Sequence, residues 1–404
     1  MTLTGLLEII RNGESSGIEF KRDDIDNRAF AKEIVALANH LGGRVLLGVE
    51  DDGSISGITR PAARLEEWVM GACRDKIRPE LIPFFEIVRE AAPGKDVAIV
   101  TVEPGYAVHA VWHNQHRTYY KRAGTVVSEA SNEELEQLFQ RRGNLRVELK
   151  PVSGTGLDAL DLDRLADYFG RIRQQPHPAP AERESWEALL VNTELMARGE
   201  AGIVCTVAGL LIFGKNPNRF LPHAGIDAVA YPGAAPDYQA NERTALRGPM
   251  VPLQGAPGFG EGLVERAITF ALRHLSTETG LEGGVRRMVH VDFPTEVLRE
   301  ALVNALVHRD YLLSATDIQF SIFSDRIEIV SPGRLPNGIT PARMIAGCRA
   351  ARNQLIKDIM RDYGYLEHMG MGIPRKIVAG MRVFNGTEPE LHVEEESFRL
   401  VLRR

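Results

Sequence analysis

Apolar positions recur along this chain with two periods. Phe30, Ile34, Leu37, Ala38 and Leu41 return every three or four residues. That spacing predicts a helix capped at Asp26 or Asn27 and stopped by Gly42-Gly43. Short Val- and Ile-rich runs at 18–21, 44–50, 54–58, 84–89 and 97–102 read as strands. Residues 64–77 and 132–142 have helical patterns, and 117–122 reads as one further strand. A Pro-, Ser- and Gly-bearing break at 150–156 follows. Beyond it, 160–173 and 263–275 read as helices, 226–231 as a strand, and 206–214 as a buried passage from helix to strand. Residues 316–323 and 326–330 alternate and meet at Ser324-Asp325, which predicts a hairpin. Helices at 353–363 and 373–383 and a strand at 391–402 complete the pattern.

The stretch 293–310, F-P-T-E-V-L-R-E-A-L-V-N-A-L-V-H-R-D, stands apart. Pro294 suits a first helical turn, and the residues that follow are almost all Val, Leu and Ala. A helix apolar all round is buried. Yet Glu300, Asn304 and His308 are spaced by four and share one stripe of it. Burying such groups without partners costs on the order of several kcal/mol. The stripe therefore meets other side chains or faces a cavity that holds something polar.

Composition changes this picture little. Of 404 residues, 44% are hydrophobic and 25% charged, as in ordinary globular proteins. A net charge of −6 argues against wholesale coating of nucleic acid but leaves room for a local basic surface. Cys73, Cys205 and Cys348 are far apart, which fits a reducing compartment rather than a disulfide framework. With no leader-like N-terminus and no membrane-length apolar run, a cytoplasmic protein without membrane contact is expected.

Two sets of residues carry candidate chemistry. The first is the Glu300–Asn304 stripe, followed by Gly333 after a strand and Gly370-Met371-Gly372 before a helix. A carboxylate can orient or deprotonate water, an amide oxygen suits a hard cation, and backbone N–H groups at a helix start suit phosphate. In this order the residues resemble the GHKL ATPases, the fold of gyrase, histidine kinases and mismatch-repair ATPases. Glu300 to Asn304 corresponds to that family's N box, and Ser331-Pro332-Gly333 and Gly370–Gly372 to its glycine boxes. The resemblance implies an ATP site: Glu300 catalytic, Asn304 on the Mg²⁺, and Gly333, Gly370 and Gly372 around the nucleotide. Where the family has an aspartate that reads adenine, this chain has Ser331-Pro332, so adenine specificity does not carry over.

The second set is N-terminal. Glu14-Ser15, Glu19-Phe20-Lys21 and then A-N-H-L-G-G-R-V-L-L-G-V-E-D-D-G resemble the Schlafen AlbA-type domain closely. The resemblance implies a metal-dependent RNA-cleaving site at Glu14, Glu19 and Asp51, with Glu50 and Asp52 as neighbours that could take the place of Asp51, holding Mg²⁺ or Mn²⁺. Oxygen ligands suit either ion, and the ion can activate water against a phosphodiester. Glu14 and Glu19, five apart, converge only if Ser15-Ser16-Gly17 bends the chain. Arg117, Tyr119, Lys121 and Arg122 interleave bases with an aromatic and, with Lys21, form the expected nucleic-acid contacts.

The expected fold class is α/β of the α+β kind. Residues 1–149 form an AlbA-type domain, 150–285 a connector, and 286–404 a GHKL-like α/β sandwich. No Walker A motif is present, which argues against helicase action. The resemblance implies a protein acting on RNA or DNA, either a transfer-RNA-type endoribonuclease controlled by a nucleotide, suited to defence or stress response, or a non-catalytic nucleotide-sensing DNA-binding regulator. A homo-oligomer is expected.

Overall fold

A computed structural model of the chain describes all residues except 105–106, 143–144, 201, 254–259, 283–285, 336–338, 348–350, 367–371 and 395. The chain divides into two compact units, Met1–Leu145 and Arg146–Arg404.

In the first unit a sheet runs in the order β1 (Ile18–Lys21), β2 (Gly43–Leu47), β4 (Lys95–Val102), β3 (Phe84–Ala92). β1 and β2 are parallel, with Phe20 opposite Leu46. Helix α1 (Asn27–Asn39) makes the crossover that parallel strands need. Asp26 caps it, accepting from the N–H groups of Arg28 and Ala29. Phe30, Ile34, Leu37 and Ala38 are fully buried, as their spacing predicts. Leu41 lies past the helix end and is 70% exposed. The strand expected at 117–122 is divided. His116–Thr118 pairs with Ala110–His113, whereas β5 (Tyr120–Ala123) pairs with β6 (Val126–Glu129). Tyr119 sits between them, its carbonyl accepting from the Ala130 N–H at 2.9 Å.

The second unit is built on six strands in the order β8 (Glu242–Leu246), β7 (Ile226–Ala230), β9 (Ile318–Ile322), β10 (Arg326–Pro332), β12 (Ser397–Arg403), β11 (Glu390–Val393). β7 and β9 are parallel and the other pairs antiparallel. Thus β7 and β8, from the region expected as a connector, share one sheet and one core with the residues after 286. The strand expected at 391–402 is the β11–β12 hairpin. The passage at 206–214 is a helix, Val207–Phe213, capped by Thr206 Oγ1. The pattern at 373–383 becomes a wide, π-type stretch, Gly372–Val378, continued by Ala379–Asn385.

Helix α2 (Thr295–His308) is the apolar helix of the 293–310 stretch, and Leu302, Val303, Leu306 and Val307 are fully buried. Its C-terminal carbonyls lack helical partners. Asn353, completely buried just before α3 (Gln354–Asp362), supplies them: its Nδ2 donates to Val307 O at 2.8 Å and Arg309 O at 2.9 Å. Asn353→Ala should therefore lower stability by about 2–4 kcal/mol, read as a drop in the urea midpoint at unchanged slope.

Candidate nucleotide and nucleic-acid sites

The stripe on α2 faces a cavity. Glu300, Asn304 and His308 line a space of about 130 Å³, together with Ser331 and Gly333 at the end of β10, Lys357 of α3, and Gly372. Asn304 Nδ2 donates to Glu300 O at 2.8 Å and to Glu300 Oε1 at 2.9 Å. Both bonds use the amide nitrogen, so the amide oxygen remains for a ligand. Glu300 is 3% exposed, and Lys376 Nζ lies 3.7 Å from its Oε2. A Cβ at Gly372 would collide with Glu300 Oε1. Gly333 has φ +107°, and a Cβ there would collide with the Arg352 guanidinium. Both glycines are thus required by space, and Gly333 also by its backbone. Gly370, the third expected glycine, lies outside the described residues.

A buried ion pair backs this wall. Arg352 Nη1 is 3.2 Å from Asp310 Oδ2, and both side chains are almost fully buried. The Asp310 N–H donates to Pro332 O at 2.8 Å, tying the end of α2 to β10. Ser331 Oγ donates to Ala305 O at 3.0 Å, so its hydroxyl is used within the fold. Burial, then the charges of Lys357 and Arg352, push the His308 imidazole down to about 4. The unfolded chain then takes up a proton near pH 6.5 that the folded chain refuses until about pH 4. Stability should fall as pH drops through that window, and His308→Gln should remove part of this loss, on the order of 1–3 kcal/mol, in melts recorded from pH 7 to 4.

The N-terminal residues are arranged differently from expectation. Glu14 Oε1 accepts from the Phe20 N–H at 2.8 Å, so Ser15-Ser16-Gly17 does fold Glu14 back onto β1. Glu19 is 5% exposed. Its two oxygens are taken by Lys21 Nζ at 2.6 Å and Arg122 Nη2 at 2.7 Å. Asp51 is exposed on a turn and shares an open cleft with Lys21, Glu50 and Asp52. Among the described residues no group of three or more His, Cys, Asp and Glu side chains is placed to hold a metal ion. Glu14, Glu19 and Asp51 are therefore not gathered as a ligand set here, because Glu19 is turned inward to cations of the protein.

Arg122 is not a surface contact. Its side chain is fully buried, donating to Ser15 O at 2.8 Å and Ile18 O at 3.1 Å, with Glu33 Oε2 at 3.6 Å. Arg117 is exposed. Tyr119 packs edge-on against Phe139, and Lys121 pairs with Glu134. The described surface thus keeps Arg117, Tyr119 and Lys121 accessible at least in part, while Arg122 holds β5 onto β1 and α1. Glu33 was missed by sequence reasoning. It lies at i+3 from Phe30 and four before Leu37, on the apolar face of α1, and a carboxylate there is the available signal. Burial, then the charge of Glu19, raises its pKa. Lys357, Arg352 and Asn353 were also missed as site residues. Arg352 and Asn353 meet partners some forty to fifty residues earlier, and Lys357 faces the cavity from the same helix region, which no local period reports.

Residues 14–131 match the family described as Schlafen, AlbA_2. Residues 315–402 match the one described as "Putative ATP-dependent DNA helicase recG C-terminal", and 136–227 a domain of unknown function. The chain thus carries a Schlafen AlbA-type domain followed by a recG-type C-terminal domain of the HATPase class. The DIP2311 protein of Corynebacterium diphtheriae is 19% identical, with 99% of this chain and 80% of that chain covered and a TM-score of 0.44. The N-terminal domain of the "Putative ATP-dependent DNA Helicase RecG-related Protein" from Nitrosomonas europaea is also 19% identical, covering 33% of this chain and 93% of its own, at a TM-score of 0.25. No curated protein matches. Among the described residues no helix is long and apolar enough to cross a membrane.

Proposed function

We propose that this protein binds nucleic acid through its AlbA-type unit and a magnesium nucleotide in the α2 cavity, the nucleotide controlling the nucleic-acid contact. The observation that carries this is the joint fit of Glu300, Asn304 and Gly372. A buried acid and a half-buried amide line a cavity at a point where only glycine leaves room. In this reading the Asn304 amide oxygen would hold Mg²⁺, and Glu300 would accept a proton from water if the nucleotide is hydrolysed. Bound magnesium would supply neutralisation of phosphate charge. The two matched families, one Schlafen-type and one of recG type, support a nucleic-acid-related role.

Binding is favoured over cutting in the N-terminal unit because Glu19 is held by Lys21 and Arg122. Arg117, Tyr119 and Lys121 would contact the strand, and Lys21 lies at the edge of the acidic cleft. The test is a denaturing gel of labelled transfer RNA and duplex DNA with Mg²⁺, Mn²⁺ or EDTA, beside a filter-binding titration. Retention of one nucleic acid without metal-dependent products supports a nucleotide-sensing binder. Metal-dependent products lost in Glu14→Ala, Glu19→Ala and Asp51→Ala would instead establish an endoribonuclease, the activity that suits defence or stress response.

A further inference from the structure

The cations near the α2 cavity are not equivalent. Lys376 lies 3.7 Å from Glu300 and Arg352 3.2 Å from Asp310. Lys357 is half-buried on the cavity wall, and no carboxylate among the described residues pairs with it. His308 lines the same cavity, and its ring makes no hydrogen bond among the described residues. The two are near enough for the ammonium charge to disfavour imidazolium. A lysine and a histidine that share a partly dry space without partners are an unfavourable pairing in isolation. An anion resolves it, because an ammonium offers three donors and an imidazole one or two.

The lysine is also held in place. α3, which carries it, is fastened at its first turn from two sides. Asn353 binds the last carbonyls of α2, and the fully buried Glu148 accepts from the Gln354 N–H at 3.1 Å. A cation on so fixed a helix loses little further freedom when it meets a ligand.

We propose that Lys357 and His308 form an anion subsite of the cavity that receives the phosphate chain of the nucleotide, with Lys357 the principal contact. This rests on the nucleotide reading above and assigns the cavity's polarity: phosphates toward Lys357 and His308, and the remainder of the ligand toward the apolar wall of Ile329, Phe398 and Leu400.

The experiment is calorimetry of the full chain with ATP, adenosine and inorganic tripolyphosphate, each with Mg²⁺, for wild type, Lys357→Gln and Lys357→Arg. Thermal melts of the variants verify the fold. Lys357→Gln should weaken ATP and tripolyphosphate by about ten- to a hundredfold while adenosine binding is unchanged, and Lys357→Arg should restore most of the loss. Wild-type ATP affinity in Lys357→Gln would overturn the subsite and leave the nucleotide reading intact. Tripolyphosphate bound through Lys357 without any ATP binding would keep the subsite and reject the nucleotide reading. Binding of neither by wild type rejects both.

Discussion

Arg122→Ala should lower the stability of the N-terminal unit by about 3–5 kcal/mol, enough to unfold much of it at physiological temperature. The guanidinium is completely enclosed and lies 2.7 Å from Glu19 and 3.6 Å from Glu33. Removing it leaves two carboxylates sharing a buried space, with Lys21 2.6 Å from Glu19 and Lys32 acting on Glu33 from farther off. It also strips two donors from the carbonyls of Ser15 and Ile18, which hold the Glu14 bend. Lys would keep the charge but not the fork, so Arg122→Lys should recover only part of the loss. A double change, Arg122→Leu with Glu19→Gln, should cost less than Arg122→Leu alone, since an uncompensated charge is then absent. Urea unfolding followed by intrinsic fluorescence measures all of these. A neutral Arg122→Ala would show that the cluster is solvated rather than buried.

Asn304→Ala should abolish magnesium-nucleotide binding, a loss of at least about a hundredfold in affinity, with stability changed little. Its side chain is half-buried, and its internal bonds run only to Glu300. Losing them leaves the Glu300 carboxylate with Lys376 Nζ still 3.7 Å from its Oε2. Glu300→Gln should keep nucleotide affinity and slow any hydrolysis, because an amide does not accept a proton from water. Gly372→Ala fills the space against Glu300 and should block binding as completely as Asn304→Ala. Equal ATP titration curves for wild type and Asn304→Ala would remove the assigned role from the α2 stripe.

The cavity was legible from one side only. A period of four places Glu300, Asn304 and His308 on one stripe whatever the tertiary structure, so their shared exposure to the cavity follows from sequence. Gly333, after a strand, and Gly372, before a helix, are legible from local sequence as well. The opposing wall could not. Lys357 and Arg352 meet the stripe through the α2–α3 packing, and sequence spacing carries no information about contacts at that separation. Residues 226–231 and 242–246 fall in the expected connector because a short strand does not reveal which sheet it joins and the second strand carries no clear pattern, and here they pair beside β9. Arg122 was read as exposed from alternation along one continuous strand. The chain breaks at Tyr119, and the acids that enclose the guanidinium come from β1 and α1 about a hundred residues away. An arginine destined for burial looks, in sequence, like one destined for phosphate.

Control of nucleic-acid binding by the nucleotide is the central claim, and linkage makes it directly measurable. If the two sites are coupled, a magnesium nucleotide changes nucleic-acid affinity by the same factor by which nucleic acid changes nucleotide affinity. The measurement is filter binding of labelled transfer RNA and duplex DNA to the full chain, titrated with and without saturating Mg-ATP, in wild type and Asn304→Ala. The expected result is a shift of about five- to a hundredfold in wild type, matched by an equal shift in the reverse titration and absent in Asn304→Ala. Superimposable curves with and without Mg-ATP, at nucleotide concentrations that calorimetry shows to be saturating, would contradict it.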